Sequence, residues 1–299
     1  MTAAAESESQ ADTLRQVAIV AAEGATPDWS IAFESLVRAA QLGSRLAQAE
    51  LAGLSGQWML ALKLLEGGEL LDLSKSLFST SFDTTLLTVK SPLSAISQSP
   101  RIAAIEGFIE PHICDWLIAR ARPRLAPAMV YDRKSGQAQN ADLRTNRLFS
   151  FQPGERDLIL ALVRARIATV TQTVASAMES PKVLHYSVGQ QFKPHFDIVL
   201  DPTSPDYAKR FSEGRQRVLT FLVALNDDFE GGETEFPALG LRWKADKGSA
   251  LFFWSVDPEG KLDRRTLHAG LPTTRGEKWI LSQWIGGRPP EKLNGWPKP

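Results

Sequence analysis

Gln191-Phe192-Lys193-Pro194-His195-Phe196-Asp197 is the stretch on which the reading of this chain turns. In an extended segment, side chains two apart leave the same face, so His195 and Asp197 converge on one point while Phe196 faces away. Two imidazoles and one carboxylate on one side of an octahedron form a facial triad that holds Fe(II) and leaves three positions for a chelating co-substrate and oxygen. The chain has four histidines, His112, His185, His195 and His268, and only His268 follows Asp197. His268 is therefore the expected third ligand. A His-X-Asp pair alone is a common coincidence, so the case has to be carried by residues further along.

After His268 comes Gly270-Leu271-Pro272-Thr273-Thr274-Arg275-Gly276. A turn there is expected to bring the next strand back antiparallel and to set Lys278 close to His268. On that strand Lys278, Ile280, Ser282 and Trp284 share one face. A lysine among apolar residues is costly to desolvate unless an anion meets it, and the remote carboxylate of 2-oxoglutarate is such an anion. The plainer alternative is a surface lysine with its stem laid along the strand.

Outward from this centre the texture is that of strands. Lys182 to Val188, Gln216 to Leu225, Ser249 to Val256, Thr266 to Ala269 and Glu277 to Ile285 are short, β-branched or aromatic, and bounded by Gly, Pro and Asp. Two helical segments, about Pro111 to Arg122 and Glu155 to Met178, precede them. From Asp12 to Leu71 the pattern is helical throughout, with two helices meeting at Gly43. The fold class expected is α+β: a jelly-roll core with flanking helices (residues 98–299), preceded by a small all-α, helical-repeat-like domain with a linker (residues 1–97).

With these residues in place, the chain resembles the prolyl 4-hydroxylase family of 2-oxoglutarate/Fe(II) dioxygenases. The resemblance runs from about residue 183 to 285 and rests on Tyr186, Gly189-Gln190, Phe192, His195, Asp197, Arg217, Thr220, Leu225-Asn226, Gly231 through Pro237, Lys247-Gly248, Phe253, His268-Ala269-Gly270, Pro272, Gly276, Lys278-Trp279 and Trp284. It implies a double-stranded β-helix, with His195, Asp197 and His268 on the metal and Lys278 on the remote carboxylate. It also implies that Tyr186 hydrogen-bonds the co-substrate, that Thr220 lines its pocket, and that Arg144 and Tyr131 lie along the substrate groove. The implied reaction couples decarboxylation of 2-oxoglutarate to succinate with hydroxylation of a C–H bond, using Fe(II), 2-oxoglutarate and O2, with ascorbate as a candidate reductant. A prolyl residue in a peptide or protein is the first substrate expected; a free amino acid or other small molecule is the alternative. Asp197 itself favours hydroxylation, because halogenases of this general type leave the carboxylate position empty for halide. Ala32 to Gly56 resembles one unit of a Sel1-like, tetratricopeptide-type repeat, which makes the N-terminal helices a candidate surface for a protein partner.

Composition narrows the competing classes. Lys+Arg and Asp+Glu both number 34, so no basic excess points to nucleic acid or a membrane surface. The N-terminus lacks the pattern of a secretory signal, and a cytoplasmic setting is expected. The single cysteine, Cys114, leaves no intrachain disulfide and no thiolate cluster, so a metal must bind nitrogen and oxygen. A non-catalytic sensor of iron, oxygen or 2-oxoglutarate would not need all of His195, Asp197, His268 and Lys278. A cupin-like metalloenzyme without an oxo-acid co-substrate would have no use for Lys278. His185 is expected to pack on the strand face opposite Tyr186, His112 to cap a helix or lie on the surface, and Cys114 to be a small core residue. Gly231-Gly232 fits a tight turn passing near a neighbouring strand, Asp227, Asp228, Glu230 and Glu233 a solvated acidic loop, and Asp201 to Gly214 a lid or an ordinary connection.

Overall fold

The structure is a computed structural model, and it describes residues 3–73, 81–131, 138–139, 143–198 and 216–287. The chain divides into two compact units, residues 1–88 with 152–170 and 174–176, and residues 89–151 with 171–173 and 177–299.

The first unit is helical. It contains α1 (Ala3–Glu23), α2 (Trp29–Gln41), α3 (Arg45–Leu54) and α4 (Trp58–Leu65). The side chains of Asp28 and Ser44 cap α2 and α3 by accepting from the amides of Ile31 and Ala47, which satisfies donors that a helix start leaves open. Between the two helices Gly43 takes φ +87°, a turn most residues resist, so the junction expected at Gly43 is where the chain reverses. Ala39, Ala40 and Ala47 are buried there, and their small side chains let the backbones approach closely, with Leu51 filling the core beside them.

Of the helix expected over Glu155 to Met178, the regular part is Leu158–Thr171, which follows α5 (Pro111–Ala121) and is α6. Most of α6 belongs to the helical unit, which a single cut at 97/98 does not anticipate. The reason is local: Leu158 and Ala161 join the core cluster of α1 to α3. Glu50 of α3 accepts from the Leu158 amide at 2.7 Å while also pairing with Arg15 Nε at 3.0 Å.

The second unit is antiparallel. In chain order its strands are β1 (Ser94–Gln98), β2 (Arg101–Ile105), β3 (Ala126–Pro127), β4 (Val130–Tyr131), β5 (Ala138–Gln139), β6 (Arg147–Ser150), β7 (Lys182–Tyr186) and β8 (Phe192–His195). There follow β9 (Arg217–Ala224), β10 (Glu230–Gly231), β11 (Thr234–Phe236), β12 (Leu241–Trp243), β13 (Ala250–Trp254), β14 (His268–Gly270), β15 (Thr273–Arg275) and β16 (Lys278–Gly286). The large sheet runs β1-β2-β13-β9-β16-β7-β6-β3 and the small one β12-β11-β14-β8. Phe236 and Trp243 of the small sheet share one core with Leu184, Leu222, Phe253 and Ile280 of the large sheet, so the two pack face to face as the jelly roll requires. On the other face of the large sheet Cys114 of α5 lies 3.8 Å from the Ala224 carbonyl; it is a core residue, as expected. With both faces covered, β9 and β16 are buried almost end to end.

One expectation fails. The turn after His268 does not close a hairpin: β14 pairs with β8 and β11, whereas β16 pairs with β7 and β9. Between them Thr273 pairs with Gly231 in β15, and the chain crosses from the small sheet to the large one. His268 and Lys278 thus reach one cavity from opposite walls rather than from neighbouring strands.

Candidate metal and co-substrate site

The pairing of β14 with β8 sets His268 directly across from His195. Asp197, just past the end of β8, completes a group whose ligand atoms all lie within 4.8 Å of one another. Asp197 Oδ1 is 3.6 Å from His195 Nε2 and Asp197 Oδ2 is 3.5 Å from His268 Nε2.

Whether these residues suit a metal is decided by the far nitrogens. Nδ1 of His195 lies 2.8 Å from the Lys193 carbonyl, and Nδ1 of His268 3.0 Å from the Thr266 carbonyl. A carbonyl only accepts, so each Nδ1 carries the proton and each Nε2 presents a lone pair to the shared point. This is the outer hydrogen bonding by which ligating histidines are fixed. Burial also holds the His268 imidazole down to about 4, neutral at physiological pH and fit to ligate. Burial alone would raise the Asp197 carboxyl, but the two histidines and the Thr220 hydroxyl outweigh it and hold it far below the usual carboxylate range. Thr220 Oγ1 donates to Asp197 Oδ2 at 2.5 Å. The set fits a divalent ion of the Fe(II) kind, with nitrogen and oxygen donors.

The cavity containing the triad is lined also by Arg144, Tyr186, Phe192, Thr220, Lys278 and Trp284. Lys278, Ile280, Ser282 and Trp284 all face it, as their alternation along β16 requires. Lys278 is 4 % exposed, and its Nζ donates to the Gly232 carbonyl at 2.5 Å. Burial pushes its ammonium down to about 8, with Glu233 acting weakly in the other direction. Tyr186, the register partner of Lys278, is buried, and burial raises its phenol, which stays protonated and able to donate. The site is therefore a metal triad with a desolvated cation and a hydroxyl donor in one pocket.

Known proteins give the family. Residues 181–286 match the family model described as the 2OG-Fe(II) oxygenase superfamily. Prolyl 4-hydroxylase 1 of Arabidopsis thaliana is 36 % identical over 204 residues, which is 64 % of this chain and 70 % of that protein. The chain belongs to the prolyl 4-hydroxylase family. Probable prolyl 4-hydroxylase 3 of the same plant is 34 % identical over 209 residues, covering 64 % and 70 % of the two chains. Among solved structures, the viral collagen prolyl hydroxylase of Paramecium Bursaria Chlorella virus-1, in its 2OG complex, is 31 % identical and covers 62 % of this chain and 96 % of that one, at a TM-score of 0.49. As a prolyl 4-hydroxylase family member the protein is an oxidoreductase that uses Fe(II), 2-oxoglutarate and O2.

Within this family member, Arg144 is buried at the cavity wall, stacked on Phe192 at 4.4 Å and bonded to Asn146 at 2.8 Å. Tyr131 lies on β4, paired with Ala138, but its side chain and all of Asp201 to Gly214 fall outside the described residues. His185 turns away from the cavity, as expected, and meets Glu277 at 2.7 Å. Thr220, which the resemblance sets along the co-substrate pocket, lines the cavity, and its hydroxyl donates to Asp197. Arg217 was placed by resemblance alone. It grips Glu179 at 2.6 and 2.8 Å, stacks on Trp284 at 3.6 Å and reaches the Asp197 carbonyl at 3.4 Å. The alternation Thr220-Leu222-Ala224, a polar residue among inward apolar ones, was the available signal for Thr220. Nothing local marks Arg217.

Proposed function

We propose that this chain hydroxylates a prolyl residue in a peptide or protein, with oxidative decarboxylation of 2-oxoglutarate to succinate. The observation that carries the reading is a ligand-ready His195, Asp197 and His268 in one cavity with the buried cation Lys278, in a chain similar over 64 % of its length to a prolyl 4-hydroxylase. Fe(II) in the triad, with 2-oxoglutarate and oxygen, would supply the oxidising chemistry that a C–H bond demands.

The chain's own residues supply position and exclusion. Lys278 offers its charge to the remote carboxylate and Tyr186 its hydroxyl, while Thr220 fixes the face that Asp197 presents. Phe253 and Phe236 pack on His268, at ring centroids 4.8 and 5.7 Å away, and keep that side of the metal dry. Arg144, at the wall beside Phe192, is the residue we assign to the substrate, with Tyr131 as its expected companion. The helical unit is proposed as a docking element for a protein partner, and ascorbate as the reductant that restores Fe(II). Cys114, buried and unpaired, is in keeping with a cytoplasmic setting. Among the described residues no helix is long and apolar enough to cross a membrane.

The test is Fe(II)-dependent succinate formation by the full chain, with proline-containing peptides and with free proline, in wild type, His268→Ala and Lys278→Ala. Peptide-stimulated turnover is expected in wild type and its loss in His268→Ala, with Lys278→Ala recovering only at much higher 2-oxoglutarate. Turnover stimulated by free proline and not by peptides would replace the peptide reading with the small-molecule one.

A further inference from the structure

Thr273 is a buried polar residue for which the site described above has no role. It is 1 % exposed, and its hydroxyl has no hydrogen-bond partner among the described residues. A hydroxyl stripped of water and left unpaired is destabilising, and such groups in folded proteins call for an explanation. Its surroundings supply one. Thr273 pairs with Gly231, and the point where a Cβ would stand on the next residue, Gly232, lies 3.2 Å from Thr273 Oγ1 and 3.1 Å from Lys278 Cδ. Both side chains thus converge on the same bare glycine, whose carbonyl accepts from Lys278 Nζ. An ammonium has three donors, and among the described residues this one meets a single acceptor, so it too is open to an anion.

We propose that Thr273 is a binding residue for the co-substrate: its hydroxyl donates to the distal carboxylate of 2-oxoglutarate beside Lys278. A carboxylate has two oxygens and about four acceptor sites, so a hydroxyl and an ammonium reaching it from β15 and β16 compete for nothing. This inference rests on 2-oxoglutarate being the co-substrate.

The experiment is calorimetric titration of 2-oxoglutarate into the full-length, Mn(II)-loaded protein without oxygen, for wild type, Thr273→Val, Thr273→Ser and Lys278→Ala. Melting temperatures are measured in parallel without 2-oxoglutarate. Valine keeps the shape and removes the hydroxyl, and its Kd is expected to rise about tenfold, the worth of one hydrogen bond to a charged group. Serine should restore most of that loss. Because valine removes an unpaired group, Thr273→Val should melt at or above wild type when ligand-free. Unchanged affinity in Thr273→Val with affinity lost in Lys278→Ala would overturn the role of Thr273 and leave the co-substrate reading standing. Unchanged affinity in both variants would sink the co-substrate reading itself. A lower melting temperature in Thr273→Val, rescued by serine with Kd constant throughout, would assign the hydroxyl a structural partner instead.

Discussion

At the scale of single residues, the ligands were legible because histidine is scarce here and because a spacing of two in an extended segment has one geometric meaning. What could not be read was which groups hold those ligands in place. The carbonyls of Lys193 and Thr266 fix the two imidazoles, and a carbonyl has no sequence signature. Lys278 shows what burial does to a charge that was legible. Its ordinary value is near 10.5 and burial brings it to about 8, so the ligand-free ammonium loses its proton just above physiological pH. The protonated form is the one that attracts a carboxylate. Affinity for 2-oxoglutarate is therefore expected to be flat below about pH 8 and to fall by up to about tenfold per pH unit above it, until the pKa of the bound complex is passed. Titrations between about pH 6.5 and 9.5 should show this in wild type. In Lys278→Arg, whose guanidinium stays charged throughout, the fall should vanish. A decline persisting unchanged in the arginine variant would trace the pH dependence to another group. The same burial acts on stability with the opposite sense. The unfolded chain holds this proton more tightly, so the lysine's contribution to stability is poorest below pH 8 and improves as pH rises from about 8 to 10.5.

Elements were read with uneven success, and the failures share a cause. Strand identities came through in β7, β9, β13 and β16, where β-branched and aromatic residues form continuous runs. The partnership of β14 did not, because a Gly-Pro-rich turn between two strands reads locally as a hairpin whether or not the strands join the same sheet. The choice is made far away, by Gly231 and Gly232. Gly231 takes φ +67°, and a Cβ there would stand 2.5 Å from the Pro272 carbonyl. The backbone of β10 thus comes close enough to β15 to hold the crossing, and only a residue without a side chain permits it. Gly231→Ala should cost about 1–3 kcal/mol from its backbone conformation alone, and more from the clash. It should lower the melting temperature and, since β15 leads into Lys278, weaken 2-oxoglutarate binding as well. A variant that melts and binds like wild type would show that the loop relaxes freely and that the approach of the two segments is not required.

For the molecule as a whole, the sequence disclosed a helical part and a β part, and the structure shows that they are not consecutive. Helix α6, far along the chain, contributes Leu158 and Ala161 to the core begun by α1 to α3, and the Leu158 amide is satisfied by Glu50. Hydrophobic periodicity marked α6 as a helix but could not say which core it would join, since an apolar stripe is the same for either. Removing residues 1–88 should therefore not release a well-behaved oxygenase. It should expose the apolar side of α6, and the fragment is expected to aggregate or to melt well below the full chain. A monodisperse fragment with the full-length melting temperature would show that α6 needs no cover from the N-terminal helices.

The interleaving also bears on how the protein is made. When the ribosome has finished α4 at Leu65, the partner that closes the helical core, α6 from Leu158, is still roughly 90 residues from being synthesised. At about 5–20 residues per second that is a delay of several seconds. Until then Phe33, Leu36 and Leu51 lack part of the surface that will bury them. The nascent chain thus passes through an interval in which a chaperone can take hold of α1 to α4, and slowing or speeding translation between residues 88 and 158 should change the yield of folded protein without altering a single amino acid.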